Sequence, residues 1–342
     1  MKTQTDVVII GAGPVGLFQV FELGLQGLSA IVIDALPQPG GQCTELYPDK
    51  PIYDIPAVPI CTGRELTDKL MDQIAPFEAP IHLDQTVDTL SKHSDDTFTL
   101  STSKGLQFQC KAVIVAAGAG SFTPVKLRVE GIDKFESTQL YYRVRDPSVH
   151  ADKDIVILGG GDSAIDWALA LADKTKSLTL VNRTERFRAA EASVDKLMAL
   201  RDASKVKVLF GAVKGFAEND NKLSGVHCVL RDEQKSEVEL QVDDLLVFFG
   251  LSPKLGPIEQ WGLDLEKNLI DVNCETYATS VPGIYAVGDI NTYPGKKKLI
   301  LSGFHETALA AHAIKHQFEP DKKQYTQYTT TSTVLQKRLG VD

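Results

Sequence analysis

Two glycine clusters in this 342-residue chain have the spacing of phosphate-binding turns. The first lies in DVVIIGAGPVG, where Gly11, Gly13 and Gly16 form a G-x-G-x-x-G directly after an apolar run. Behind it, LFQVFELGLQGLS has helical apolar spacing, and AIVID ends on Asp34. Alone, the glycine pattern is a weak signal. With strand, helix, strand and terminal acid in order, it marks a dinucleotide-binding unit. The first glycine makes the tight turn, the second lets the backbone approach a pyrophosphate, and the third lets the helix pack close to the strand. The helix N-terminus adds unpaired N–H groups and the positive end of its dipole. Asp34 is placed to accept hydrogen bonds from a ribose 2′-hydroxyl.

The pattern returns in DIVILGGGDSAIDWALALA at an offset of 148, with Gly159, Gly161 and Ala164, and with Asp162 and Ser163 opening the helix. Asn182 then lies 21 residues after Gly161, as Asp34 lies 21 after Gly13. No acid ends this second strand. Arg183, Arg186 and Arg188 follow instead. A carboxylate there would repel a 2′-phosphate, whereas guanidinium forks pair with one. The second site is therefore expected to take NADPH on its turn (Gly159, Gly161, Asp162, Ser163), with Arg183 and Arg188 on the 2′-phosphate. The first copy keeps its acid and suits an unmodified ribose; FAD fits that requirement. VPGIYAVGDI (281–290) supplies a short strand ending in Gly-Asp, and VIVAAGAG (113–120) a further strand-then-glycine element at the crossing between two domains.

These turns need two α/β units to hold them, and the length allows two domains with separate cores. The composition is ordinary for a globular protein, and no apolar run reaches the roughly 18 residues of a membrane span. A strand begins within a few residues of Met1, which leaves no room for a signal peptide and makes the cytoplasm the expected compartment. A net charge of −9 speaks against nucleic acid as a partner. Cys43, Cys61, Cys110, Cys228 and Cys274 are scattered and never form C-x-x-C, so no metal site and no disulfide framework is expected.

End to end, the chain resembles the thioredoxin-reductase-like (type 2) ferredoxin/flavodoxin–NADP reductases of bacteria. The likeness rests on GGQCTELYPDKPIYDIP (40–56), GGGDSAIDWAL (159–169), NRTERFRAAEASV (182–194), GLSPKLGPIEQWGL (250–263), GIYAVGDINTYPGKKKLI (283–300) and YTTTSTVLQKRLG (328–340). The resemblance implies two Rossmann-like domains of the pyridine-nucleotide-disulfide reductase type. An FAD domain formed by 1–118 and 282–342 would carry an NADPH domain, 119–281, as an insertion. It implies FAD contacts from Asp34, Gln42, Val87, Phe122 and Asp289, the last against the ribityl chain. Tyr47 would stack on the flavin ring, Thr330 would touch it, and Tyr328 would cover its other face. It also implies a homodimer and a reversible reaction, with hydride passing from NADPH to flavin N5 and single electrons leaving for ferredoxin or flavodoxin.

Thioredoxin reductases carry a redox Cys-x-x-Cys just ahead of the second glycine turn. Here that stretch reads STQLYYRVRD (137–146) and holds no cysteine. It is expected to be a structural connector in which Tyr141, Tyr142 and Val144 pack. Lone Cys43 is expected to be a small side chain beside the flavin, since one thiol cannot form an intrachain disulfide. Lys296–Lys298 offer a basic patch for an acidic carrier, and His305 is expected to be an exposed polar residue. Two other readings stay open: a thioredoxin-type reductase acting on an external disulfide, and a non-catalytic flavin sensor or scaffold.

Overall fold

The structure is a computed structural model that describes residues 3–118, 120–144, 146–323 and 325–341, without the side chains of 121–123 and 251–254. The chain begins with β1 (Val7–Ile10), α1 (Pro14–Leu25), β2 (Ala30–Ile33) and α2 (Gln42–Glu45). It continues through α3 (Gly63–Ile74), β3 (Ile81–His82) and β4 (Ala112–Val115). A contiguous stretch then supplies β5 (Leu140–Tyr141), β6 (Asp154–Leu158), α4 (Asp162–Leu171), β7 (Ser177–Asn182) and α5 (Glu191–Asp202). It closes with β8 (Lys207–Asn219), β9 (Lys222–Leu230), β10 (Glu237–Gln241) and β11 (Asp244–Val247). Last come β12 (Ile284–Ala286), α6 (Ile300–Phe318) and α7 (Thr333–Leu339).

Two compact units result. One joins Met1–Ser121 to Pro253–Asp342; the other is Phe122–Ser252. The return to the first unit falls earlier than the expected 282. Residues 253–281 carry no nucleotide motif, but Leu255, Ile258, Leu263, Ile270 and Val272 bury into the first unit's core. That burial decides their membership.

The first unit's main sheet has the order β12-β4-β1-β2-β3, with all strands parallel. β1 (VVII) and β4 (AVIV) are buried at every position, as central parallel strands covered on both faces must be. Helices α1 and α6 pack against each other where Gly303 has no side chain; a Cβ there would come within 2.3 Å of Val15 Cγ2. A smaller sheet of Thr3–Gln4, Gln107–Cys110, Phe98–Thr102 and Val87–Lys92 lies beside it in the same unit. At the far end of α1, helix α7 docks with Leu335 buried, and Arg338 Nη1 donates to the Leu25 carbonyl.

The second unit's sheet runs β5-β11-β6-β7-β8-β9-β10, parallel from β5 to β8 and antiparallel through β9 and β10. The STQLYYRVRD stretch supplies edge strand β5. Leu140 is fully buried, Tyr141 and Val144 pack against the core around α4, and Tyr142 Oη accepts the Leu127 N–H at 3.1 Å. Arg143 is exposed, and Arg145 lies outside the described residues. Among the described residues, no helix is long and apolar enough to cross a membrane.

Candidate functional site

In the first unit the glycine turn sits between β1 and α1. Gly11 has φ +113°, and a Cβ on it would fall 2.3 Å from the Ala116 carbonyl; one on Gly16 would fall 1.9 Å from the Gly11 carbonyl. Both glycines are demanded by the protein's own packing. Gly13 is different: its φ of −70° suits any residue, and a Cβ there would meet nothing nearer than Gly41 Cα at 4.0 Å. The space in front of Gly13 is free for a ligand backbone to approach, as a bound pyrophosphate requires.

Asp34, at the end of β2, is buried. Its Oδ2 accepts the Ala12 N–H and its Oδ1 the Leu36 N–H at 2.7 Å. Burial pushes this carboxyl above its ordinary value, and the two amides offset part of the rise. Two of about four acceptor positions are used, so ribose hydroxyls can still be held. Val87 is buried two residues beyond Gln85, whose N–H donates to the Asp34 carbonyl at 2.9 Å.

Gln42 and Asp289 lie 247 residues apart in sequence, yet Gln42 Nε2 donates to Asp289 Oδ2 at 3.3 Å. A Cβ on Gly118 would lie 3.5 Å from the same amide nitrogen. Gly118 and Asp289 follow β4 and β12, the glycine turn follows β1 between β4 and β2, and Gln42 follows β2, so all lie past the carboxyl ends of adjacent parallel strands, where open α/β sheets bind ligands. Tyr47 is half-buried just past α2, and its hydroxyl accepts the Cys43 thiol at 3.6 Å. Burial pushes the Tyr47 phenol and the Cys43 thiol up, and Asp289 lies close enough to add to both shifts. Open space before Gly13, a ribose acceptor and a second carboxylate thus fit a dinucleotide with an unmodified ribose, as FAD has.

The second unit repeats the turn between β6 and α4. A Cβ on Gly159 would fall 2.4 Å from the Phe248 carbonyl, whereas one on Gly161 would meet nothing nearer than the Arg188 carbonyl at 3.8 Å. A cavity of about 730 Å³ opens against this turn. The arginine loop folds back onto it: Arg188 N donates to the Gly160 carbonyl at 2.7 Å, and Asp162 Oδ1 accepts the Ala190 N–H at 3.0 Å. Asp162 therefore fastens that loop, while Ser163 is exposed at the helix start. Asn182 takes the acid's position as a turn organiser, its Nδ2 donating to the carbonyls of Thr184 at 2.6 Å and Arg186 at 3.2 Å. Arg183, Arg186 and Arg188 line the cavity, together with Lys126, Arg128 and Lys214, which sequence spacing could not associate with it.

Other expected residues fall elsewhere. The Phe122 side chain lies outside the described residues. Tyr328 and Thr330 are exposed on the segment ahead of α7, and α7 docks at the C-terminal end of α1. The glycine turn is at the other end of that 12-residue helix, about 18 Å from where α7 docks. Lys296 is no part of an exposed patch: its side chain is 7% exposed and paired with the fully buried Glu306. Lys297, Lys298 and His305 are exposed. Of the thiols, burial lifts Cys110 to about 12 and Cys228 to about 11, the opposite of what a reactive thiolate needs. Among the described residues, no three His, Cys, Asp or Glu side chains are grouped to hold a metal ion.

A family model for pyridine nucleotide-disulphide oxidoreductases matches residues 5–316. Ferredoxin–NADP reductase 2 of Cupriavidus necator is 57% identical over 339 residues, 99% of this chain and 91% of that protein. The ferredoxin–NADP reductase of Albidiferax ferrireducens is 56% identical over 343 residues, 99% of this chain and 96% of that one. Among solved structures, T. acidophilum thioredoxin reductase aligns with a TM-score of 0.77 at 23% identity, over 93% of this chain and 100% of that one. Lactococcus lactis thioredoxin reductase aligns at 0.76 with the same identity and coverage. At such identity the two structures speak for the fold alone. Placed by the family model and by relatives matched along its whole length, the chain belongs to the pyridine nucleotide-disulphide oxidoreductases and, within them, to the ferredoxin–NADP reductases.

Proposed function

We propose that this enzyme carries electrons from NADPH through bound FAD to a one-electron protein, ferredoxin or flavodoxin, without a redox disulfide. The single observation that carries the reading is the contrast between the two nucleotide turns. One ends in a buried carboxylate with acceptor capacity to spare, the other in a cavity lined by cations. The unit of Met1–Ser121 with Pro253–Asp342 holds FAD, and Phe122–Ser252 holds NADPH. FAD, when bound, supplies the conversion between two-electron and one-electron transfer.

The chain's own residues bind and orient. Gly11, Gly13 and Gly16 shape the first turn, and the α1 N-terminus faces the pyrophosphate. Asp34 accepts from the adenosine ribose, Gln42 holds the pyrophosphate side, Asp289 holds the ribityl chain, and Tyr47 packs on the ring. Gly159, Gly161 and the start of α4 take the second pyrophosphate, and Arg183 and Arg188 pair with the 2′-phosphate. The free cysteines, four of them buried, support both direct transfer and a reducing compartment, the cytoplasm. The chain works as a homodimer, as the family resemblance implies. The cationic cavity, in which Lys126 alone of the lining cations is paired with a carboxylate among the described residues, favours a catalyst over a sensor that never meets NADPH.

The test is anaerobic reduction by NADPH followed by titration with ferredoxin and flavodoxin, using wild type and a variant with all five cysteines replaced. Bleaching of the flavin and onward reduction of a carrier are expected in both. Flavin reduction without onward transfer in the folded, FAD-loaded cysteine-free variant would put a thiol on the electron path and overturn the reading.

A further inference from the structure

The cavity beside the second glycine turn holds more cations than the arginine loop provides. Its basic lining comes from three separate stretches: Lys126 and Arg128, then Arg183, Arg186 and Arg188, then Lys214 in β8; no carboxylate lines it. Lys126 is neutralised by Glu136, with Nζ to Oε2 at 2.7 Å. Among the described residues, the side chains of the other five have no ion pair or hydrogen bond. Like charges gathered on one cavity without counter-ions repel each other, so their convergence points to an anion that joins them.

The place of that anion follows from strand register. β7 and β8 are parallel, with Asn182 beside Phe210. Lys214 is four residues further along β8, past the end of β7 and level with the start of the arginine loop. The stretch after Arg128 leans on the same strand, since a Cβ on Gly131 would lie 3.9 Å from the Phe216 ring. The arginine loop is instead fastened to the glycine turn by the Arg188–Gly160 bond at 2.7 Å. A phosphate beyond the end of β7 thus meets the arginine loop on one side and β8 with its packed segment on the other. The pyrophosphate has its own donors at the glycine turn.

We propose that Arg128 and Lys214 are specificity residues that grip the 2′-phosphate of NADP(H) from the β8 side, opposite Arg183 and Arg188. This rests on the reading of the cavity as the NADPH site. A 2′-phosphate carries nearly two negative charges at neutral pH. Single-point contact from a surface arginine would leave it exchanging with water, whereas a two-sided grip excludes NAD(H), which has nothing to fill the space between the cations.

The experiment is calorimetric titration of the oxidised, FAD-loaded full chain with NADP⁺, NAD⁺, 2′,5′-ADP and 5′-AMP, in the absence of turnover. Arg128→Met and Lys214→Met should each weaken NADP⁺ and 2′,5′-ADP by about 10- to 100-fold. NAD⁺ and 5′-AMP should stay within about twofold, and Lys214→Arg should stay close to wild type, because both rest on charge rather than shape. Flavin content and circular dichroism confirm the fold of each variant. If the wild type prefers NADP⁺ and Arg183→Met abolishes the preference, but Arg128→Met and Lys214→Met do not move it, the inference fails while the NADPH reading stands. Equal weakening of NADP⁺ and NAD⁺ also overturns it, since the residues would then hold a part common to both. A wild type that binds NADP⁺ and NAD⁺ alike sinks the NADPH reading and the inference together.

Discussion

Replacing Glu306 by Gln removes a charge and two acceptor positions from a carboxylate with no solvent exposure. Its Oε2 accepts from the Gly288 amide at 2.6 Å and from Asn291 Nδ2 at 2.9 Å. Its Oε1 accepts from the Tyr293 hydroxyl at 3.0 Å and from Lys296. These four donors fill a carboxylate's capacity. In the variant, an NH₂ group would face two of them. Lys296 would keep the Gly288 carbonyl, at 2.8 Å, and the Tyr293 ring, 5.3 Å from its centroid, with no counter-ion. Breaking a buried pair from one side costs about 3–5 kcal/mol. A unit of this size loses roughly 2–4 °C of unfolding midpoint per kcal/mol, so the midpoint should fall by about 6–20 °C. Because the network frames the loop bearing Asp289, release of flavin fluorescence during a thermal scan reads the effect where it arises. Adding Lys296→Met removes the stranded ammonium and should return part of the loss. A fall below about 2 °C, or a double variant whose loss equals or exceeds the sum of the two single losses, would refute mutual stabilisation of carboxylate and ammonium.

Burial alone lifts Glu22 in α1 from 4.5 to about 6. The folded value lies above the unfolded one, so the native state binds more protons between them, and stability falls as pH rises from about 4.5 to about 6. Glu22→Gln should abolish that slope and add about 2 kcal/mol at most at pH 7.5, as read by urea denaturation at pH 4.5, 6 and 7.5. Truncation after Pro320 removes α7 with its buried Leu335 and should lower the thermal midpoint of the first unit. A shifted visible flavin spectrum in that truncation would put residues 328–332 over the ring; an unchanged spectrum and unchanged diaphorase kinetics would make the tail a packing element only.

Both nucleotide turns were legible in the sequence because they are local. Strand, glycines and helix lie within about twenty residues, so the pattern reads locally even though the contacts that demand Gly11 and Gly159 come from the distant Ala116 and Phe248 carbonyls. Asp289 was legible for a different reason: family resemblance places it, although its partner Gln42 is 247 residues away. Lys214 and Arg128 were not legible, because only the pairing of β7 with β8 and the packing of Gly131 on Phe216 bring them to the cavity. Lys296 misled for the opposite reason. Three consecutive lysines read as a solvated patch, and nothing local reveals that the first turns inward to a glutamate ten residues on. Residues 253–281 have irregular apolar spacing that names no partner, and only the core they join places them with the first unit.

Val113 in β4 pairs with Ile284 in β12, and α1 packs on α6, so the first unit closes only with residues made last. On the ribosome, β4 waits as an uncovered sheet edge while the whole of Phe122–Ser252 is synthesised. The inserted unit is contiguous and can condense as soon as it emerges; the N-terminal half-unit cannot. An apolar strand with an unpaired edge is the species that aggregates during folding. Slow elongation through 122–252 therefore lengthens the vulnerable interval, and the yield of this chain in a host cell should depend on chaperones that hold the nascent N-terminal segment until β12 arrives.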